Sequence, residues 1–179
     1  MESITLRDAR PGDQRWLAAL FADVRRDEFQ QFGWSASAID RFVLQQFEFQ
    51  QLGYRARYPA ATCHVIEREG FPRESHDDAR IGRLWVDRDG DGIVVLDISV
   101  WSAWRGRGIG SQCLRVLIDE ARSSQRPIRL QVAQGNPARR LYERLGFLVV
   151  DQCPPYFAMR WQAARVESSF LAKVCHEQA

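Results

Sequence analysis

The chain has 179 residues, of which 45% are hydrophobic and 27% are charged, and its formal net charge at pH 7 is +2. This length supports one domain with a working core, and no apolar run approaches the roughly 18 residues that a membrane-spanning helix needs. The N-terminus lacks a basic region followed by an apolar run, so we expect no secretory signal and a cytoplasmic location. The small net charge argues against a dedicated nucleic-acid binder, which carries a larger basic excess on one face.

The first third of the chain predicts one strand and two helices. Residues 3–10 alternate between apolar and polar side chains, which is typical of a strand. After the turn Pro11-Gly12-Asp13, a helix is predicted from apolar side chains that fall on one face. These are Trp16, Leu17, Leu20, Phe21 and Val24. A second helix, rich in glutamine, is expected to begin at 35–37 and to break around Gly53 and Pro59.

The middle of the chain predicts three strands and a long helix. Strands are expected over 62–67, 81–86 and 93–101, and the sequence Asp89-Gly90-Asp91-Gly92 between the last two is a hairpin signal. A helix over 109–122 follows. Its expected inner face consists of Ile109, Cys113, Val116, Leu117 and Ala121.

The remainder predicts a strand over 128–132, a short helix opened by Asn136-Pro137 and capped by Gly146, and strands over 147–150 and 156–161. The order is β-α-α-β-β-β-α-β-α-β-β, an α/β domain with a mixed sheet in which the unit at 93–132 implies one parallel pair. We therefore predict one domain over 2–162 and a C-terminal extension over 163–179 that is either a helix or a loose tail.

Glycine and arginine are concentrated where the strand over 93–101 meets the next helix. The segment reads Arg105-Gly106-Arg107-Gly108-Ile109-Gly110-Ser111. Glycines let the backbone approach a ligand closely, and a helix start presents free N–H groups to an anion. This chemistry suits a pyrophosphate.

The spacing of these glycines excludes two classes of nucleotide site. A Walker loop needs a lysine after its last glycine, and none is present. A dinucleotide fingerprint needs Gly-x-Gly-x-x-Gly after the first strand, whereas these glycines alternate and lie past the middle of the chain. The pattern that fits is Arg-x-x-Gly-x-Gly.

On these motifs, residues 80–161 resemble the core of the GNAT N-acetyltransferase superfamily. The resemblance rests on four blocks: "IVVLDISV", "RGRGIGSQCLRVLIDEA", "IRLQVAQGN" and "NPARRLYERLGF". It implies a fold whose central sheet is splayed to admit acetyl-CoA, and an enzyme that transfers the acetyl group to an amine without a metal.

The resemblance also assigns residues to the cofactor. The pantetheine arm is expected to pair with the main chain at Ile98 and Val100, and the pyrophosphate to lie on the N–H groups of residues 105–111, that is, Arg105, Gly106, Arg107, Gly108, Ile109, Gly110 and Ser111. Asn136 matches an asparagine that contacts CoA. Its position before Pro137 fits a helix N-cap equally well.

Two residues are candidates for catalysis by the same resemblance. Tyr142 matches the tyrosine that protonates the departing thiolate; the alternative is a core aromatic beside Leu141 and Leu145. Asp97 is the one ionisable residue in its strand and is the candidate base. Simple alternation places Asp97 opposite Ile98 and Val100, unless a bulge shifts the strand, and it could instead hold a loop by accepting hydrogen bonds.

The acceptor is expected to bind along the second helix and its exit, where polar and aromatic side chains could orient it. The candidates are Gln46, Gln50, Tyr54, Arg55 and Tyr58. The leading hypothesis is an acetyl-CoA N-acetyltransferase acting on a small amine or a protein amino group. The alternative is a non-catalytic CoA-binding module, and a homodimer is compatible with either.

Two further patterns are interpreted without a metal. Asp87-x-Asp89-x-Asp91-Gly92 imitates the start of an EF-hand loop, but Ile98 occupies the position that needs a glutamate, so we expect a hairpin turn. The four cysteines, Cys63, Cys113, Cys153 and Cys175, lack the paired spacing of a zinc site. We expect free thiols, three of them in the core.

Overall fold

A computed structural model describes residues 3–30, 33–70, 79–88 and 90–163, the side chains of 26–30 excepted. The elements follow the order that the sequence predicts, and the mixed α/β class is confirmed. They are β1 (Ile4–Asp8), α1 (Gln14–Gln30), α2 (Ala36–Arg57), β2 (Thr62–Arg68), β3 (Arg80–Asp87), β4 (Ile93–Val100), α3 (Ile109–Ser123), β5 (Ile128–Ala133), α4 (Ala138–Arg144), β6 (Leu148–Cys153) and β7 (Tyr156–Trp161).

The seven strands form one sheet in the order β1-β2-β3-β4-β5-β7-β6. Among the described strands, only β4 and β5 run parallel, and they pair over three positions, from Ile93 opposite Ile128 to Val95 opposite Leu130. Beyond that point β4 continues to Val100 and β5 to Ala133 without pairing with each other. The central sheet is therefore splayed, as expected, and main-chain groups of both strands face a gap.

A β-bulge at Leu96 reverses the facing of side chains along β4. Trp85 pairs with Asp97 and Val86 with Val95, so Leu96 has no partner of its own on β3. Before the bulge Val95 is buried in the main core, and after it Ile98 packs against the same core. Because the bulge precedes Asp97, Asp97 still lies on the opposite face from Ile98 and Val100, as simple alternation predicts.

Helices cover both faces of the sheet. The larger core includes Ile109, Cys113 and Leu117 of α3, packed on the sheet together with Tyr142 of α4. The second core lies under α1 and α2 and contains Leu17, Phe21, Val43 and Phe47. Asp97 therefore lies on the face of the sheet that α2 covers, whereas Ile98 lies on the face that α3 covers.

The expected inner face of α3 is wrong at Val116, which is 54% exposed. Leu114 and Ile118 are buried instead. The sheet covers the flank of the helix that carries these two residues, and periodicity alone does not tell which flank of an apolar stripe is covered.

The second helix ends just before Pro59, as expected, but it does not break at Gly53: α2 continues to Arg57, and the Tyr58 N–H donates to the Tyr54 carbonyl at 2.8 Å. A glycine inside a helix costs about 1 kcal/mol relative to alanine. Buried α2 residues such as Val43 and Phe47 offset that cost.

The cysteines divide by position. Cys113 is buried, Cys63 is partly buried against the second core, and Cys153 is exposed at the end of the edge strand β6, so Cys153 is not one of the three core cysteines that the sequence predicts. Cys175 lies outside the described residues, as does most of the predicted extension over 163–179.

The hairpin between β3 and β4 is confirmed by their antiparallel register. Its carbonyls accept hydrogen bonds from one side chain: Arg126 Nη2 donates to the oxygens of Gly90 at 2.6 Å, Arg88 at 3.1 Å and Gly92 at 3.3 Å. Within the described ranges, no three His, Cys, Asp or Glu side chains group as metal ligands. No helix in the described part of the chain has the length and apolarity to cross a bilayer.

Candidate functional site

The glycine-rich segment adopts the backbone that its composition predicts. Gly106 has φ of 77° and Gly108 has φ of 81°, both in the left-handed region that favours glycine. Gly108 is the N-cap of α3. These two glycines turn the chain from β4 into the helix.

The N-terminus of α3 offers main-chain donors. The first N–H groups of a helix have no partner within it, and no described side chain caps Gly108. The flanking arginines lie to the side: Arg105 Nε donates to the Val100 carbonyl at 3.1 Å, and the Arg107 guanidinium stacks 4.5 Å from the centre of the Trp104 ring. The segment can therefore hold an anion on backbone N–H groups with two cations nearby.

An aspartate on α1 fixes the start of this loop. Asp23 accepts hydrogen bonds from the N–H and the hydroxyl of Ser102, both at 2.7 Å. Its carboxylate also lies 3.6 Å from Arg105 Nη2. The loop is thus held against the α1 side of the domain.

Gly110 lies where the helix start meets the sheet. A Cβ there would stand 3.2 Å from Leu141 Cδ2 and 3.9 Å from Ile98 Cδ1. Any larger side chain would push on α4, so the absence of a side chain at this position brings the anion-binding turn close to the splayed strand.

The main chain of β4 presents to the gap groups that β5 does not pair with, although the Val100 carbonyl accepts from Arg105 Nε. The Trp101 N–H donates to the Ile81 carbonyl on the β3 side. Because these groups alternate along an antiparallel strand, the N–H and C=O of Ile98 and Val100 point the other way, toward β5, where β4 has no partner. The two predicted cofactor-pairing residues therefore line the gap with their backbone.

Asn136 lies just before α4, and Tyr142 lies within it. Asn136 Oδ1 accepts a hydrogen bond from the Ala138 N–H at 2.9 Å, so its capping role is present, and the residue is exposed. Tyr142 is 6% exposed and packs against Phe147. Burial, with a smaller contribution from Asp97, raises the pKa of Tyr142 well above its usual value.

Asp97 belongs to a buried hydrogen-bond network. Its Oδ2 accepts from Arg83 Nε at 2.7 Å and from the Ser99 hydroxyl at 2.9 Å. Arg83 Nη2 donates in turn to Gln50 Oε1 of α2 at 2.6 Å. The Arg83 side chain is 1% exposed and that of Asp97 is 18% exposed. This arrangement holds Asp97 in place and leaves its other oxygen free of these bonds.

A cleft of about 950 Å³ lies between the end of α2 and the sheet strands β4, β5 and β7. Three of the predicted acceptor residues line it: Gln50, Tyr54 and Tyr58. The Tyr54 hydroxyl donates to the Leu96 carbonyl at 2.9 Å, at the bulge. Burial first, and then the charge of Asp97, raises the pKa of Tyr54 to about 12.

The other two acceptor candidates lie elsewhere. Arg55 lines a separate cavity of about 630 Å³ on the β1–β2 side, and Gln46 is half-buried and does not line the cleft. Both lie on α2, as Tyr54 does, and the surface of α2 is divided between the cleft and the separate cavity.

The cleft also contains residues that the sequence reasoning missed. They are Arg57, Asp87, Arg129, Gln131 and Tyr156. Asp87 was interpreted only as part of a hairpin, and Arg83 received no role. The sequence signal that could have identified Arg83 and Asp87 is a charged residue inside an otherwise apolar strand, as in "IGRLWVD".

Known proteins resemble this chain in sequence and in fold. The sequence profile of the acetyltransferase (GNAT) domain matches residues 59–149, about half of the chain. No curated protein sequence matches.

Solved structures share the fold. The paia N-acetyltransferase of Thermoplasma acidophilum, solved in complex with coenzyme A, is 15% identical with a TM-score of 0.65, covering 90% of this chain and 99% of its own. An acetyltransferase of Corynebacterium glutamicum, described as histone acetyltransferase HPA2 and related, is 20% identical with a TM-score of 0.64, covering 90% and 97%. An acetyltransferase of Thermus thermophilus is 16% identical with a TM-score of 0.62, covering 91% and 100%.

Proposed function

Because the chain belongs to the GNAT acetyltransferase family, we propose that it transfers the acetyl group of acetyl-CoA to a primary amine of a small molecule or protein. The observation that carries the proposal is the adjacency of two main-chain features. The unpaired edge of β4 after Val95 opens beside the free N–H groups of the α3 N-terminus.

These two features fit the two parts of the donor. The backbone of Ile98 and Val100 would pair with the amide groups of the pantetheine arm, since it faces the gap unpaired by β5. The N–H groups from Gly106 to Ser111 would bind the pyrophosphate. The Asn136 side chain keeps its amide nitrogen available beyond the capping bond, and we assign it to the pantetheine arm.

Acetyl-CoA supplies a thioester whose carbonyl carbon accepts the amine nitrogen, and the carbon–sulfur bond breaks. We assign Tyr142 to the departing sulfur. A tyrosine phenol is neutral at physiological pH even at its usual pKa, so the hydroxyl can donate a proton to a thiolate; burial raises the pKa of Tyr142 further and makes it a weaker acid. The hydroxyl has no hydrogen-bond partner among the described residues, which leaves it available.

We assign Asp97 to the acceptor side of the reaction. Asp97 is linked through Arg83 to Gln50, which lines the acceptor cleft. Arg83 and Ser99 occupy Oδ2 and fix the carboxylate. The remaining oxygen would take the proton that the attacking amine loses.

Binding of acetyl-CoA is tested by calorimetric titration of the wild type and of Gly108→Ala. Alanine at this left-handed position strains the loop by about 1–2 kcal/mol, and we expect acetyl-CoA to bind at least several-fold more weakly. Gly70→Ala is the matched control, because Gly70 has φ of 83°, lies outside the loop and likewise has open space around its Cα. Equal affinity in both variants contradicts the assignment of the loop.

Turnover is tested by release of free thiol from acetyl-CoA over a panel of amines and lysine peptides. Thiol release that depends on an amine supports the enzyme. Tight binding of acetyl-CoA with no turnover on any acceptor would favour the non-catalytic CoA-binding module instead.

A further inference from the structure

A buried carboxylate in the acceptor cleft has no partner among the described residues. Asp87 is 6% exposed and lines the cleft below α2. Its Oδ1 is buried without a hydrogen bond, and no described basic side chain forms an ion pair with it. A buried carboxylate without compensation is costly, so this side chain is poised to bind a cation or a strong hydrogen-bond donor.

The other charges of the cleft do not supply that partner. Asp87 on β3 pairs with Val94 on β4, and Val94 pairs with Arg129 on β5. Arg129 is therefore two strands away from Asp87 in the sheet. Arg57 stacks its guanidinium 5.6 Å from the ring centre of Tyr58. Both arginines are exposed, and water screens their charge far better than that of Asp87.

Aromatic side chains complete the surroundings. Tyr54, Tyr58 and Tyr156 line the same cleft. A carboxylate beside aromatic rings is a favourable environment for a protonated amine, which pairs with the carboxylate and is attracted to the ring faces.

Asp87 is too far from the reacting centre to act on the acetyl group. Leu84 is opposite Ile98 at the splayed end of β4. Asp87 lies three residues further along β3, a distance of about 10 Å at roughly 3.4 Å per residue. The site therefore suits a second group of the acceptor.

We propose that Asp87 binds a protonated amine at the far end of the acceptor, so that the preferred acceptor is an extended molecule with two amino groups about 10 Å apart. This inference rests on the proposed function for the identity of the acceptor, but the binding of a diamine can be measured without turnover.

The first experiment titrates octanediamine and octylamine into the CoA-saturated protein. We expect the wild type to bind the diamine at least about tenfold more tightly, as for one charge-assisted hydrogen bond, and Asp87→Asn to abolish the difference. Asp91→Asn is the matched control, since Asp91 is an exposed carboxylate of the same cleft. Asp91→Asn should keep the preference.

Equal binding of the two probes to the wild type, or no binding of either, overturns the inference even if the variant does not fold. An equal loss in the Asp87 and Asp91 variants overturns it as well. Asp87→Asn should melt no lower than the wild type, because it removes an uncompensated buried charge.

The second experiment measures kcat/KM for butane-, hexane-, octane- and decanediamine against the matching monoamines. We expect kcat/KM to be highest for the longer diamines, and Asp87→Asn to remove this optimum. A diamine preference in binding with no thiol release would leave the inference intact and contradict the proposed function. Turnover of monoamines and diamines at equal kcat/KM would support the proposed function and overturn the inference.

Discussion

The pair formed by Arg83 and Asp97 provides a test of how burial sets the energy of an ion pair. The Arg83 side chain is 1% exposed and donates to Asp97 at 2.7 Å. Asp97→Asn removes the charge but leaves a side chain of the same shape. The guanidinium would then lie in the interior with two neutral amide groups as its partners, that of Gln50 and that of the new side chain.

Breaking a buried pair from one side costs about 3–5 kcal/mol, because the remaining charge has no compensation. At about 2–4 °C per kcal/mol for a chain of this size, the melting temperature of Asp97→Asn should fall by about 10 °C. Arg83→Met should cost less, about 1–3 kcal/mol, since Asp97 is 18% exposed and keeps the Ser99 bond.

The assay is urea unfolding of the two single variants and of Arg83→Met/Asp97→Asn. We expect the double variant to be more stable than Asp97→Asn alone. Glu143→Gln is the control, because Arg139 and Glu143 are also 2.7 Å apart but are 40% and 43% exposed; that loss should be below about 0.5 kcal/mol. A cost under about 1 kcal/mol for Asp97→Asn, or single effects that add to within about 0.5 kcal/mol, would refute the reasoning.

Three other changes test separate parts of the molecule. Tyr142→Phe should lower kcat about 100-fold with little change in melting temperature, since the hydroxyl has no described partner; unchanged thiol release would remove Tyr142 from the mechanism. Hydrogen bonds from Arg7 hold the pKa of Asp13 well below its usual value, so the stability that Asp13 contributes is complete above about pH 5 and is lost as the pH falls below about 4. In thermal melts at a series of pH values, Asp13→Asn should lose less stability than the wild type as the pH falls below about 4. An unchanged loss would contradict the role of Asp13. Gly53→Ala should raise the free energy of unfolding by about 0.5–1 kcal/mol, because a Cβ at this helical position meets nothing within 4 Å; a loss of stability would show that the glycine serves another purpose.

Local patterns predicted the elements and the backbone conformation of the glycine-rich segment. The glycines at 106 and 108 require the left-handed conformations that the structure gives them, and β-branched residues with a hairpin signal mark β3 and β4. These features depend on residues close together in the chain, which is why a single sequence is enough to place them.

Features that depend on distant contacts were not predictable in the same way. The continuation of α2 past Gly53 depends on its packing, and the exposure of Val116 depends on which flank of α3 the sheet covers. The burial of Asp87 and Arg83 depends on α2 crossing above the sheet. Simple alternation gave the correct face for Asp97 relative to Ile98 and Val100, but the position of the bulge before Asp97 depends on the pairing of β4 with β3 and was not predictable.

The bulge at Leu96 makes the length of β4 a constraint on any variant of this chain. Deleting Leu96 would let the strand pair regularly with β3 and leave Asp97 and Ile98 on their present faces, but it would remove the carbonyl that accepts from the Tyr54 hydroxyl. Deleting a residue after the bulge, such as Ile98, would instead move Ser99 and Val100 to the opposite faces, so that Ser99 enters the apolar core. We expect that single-residue insertions and deletions are tolerated in the hairpin before Gly92 far better than in this strand, although the two sites are separated by only a few residues.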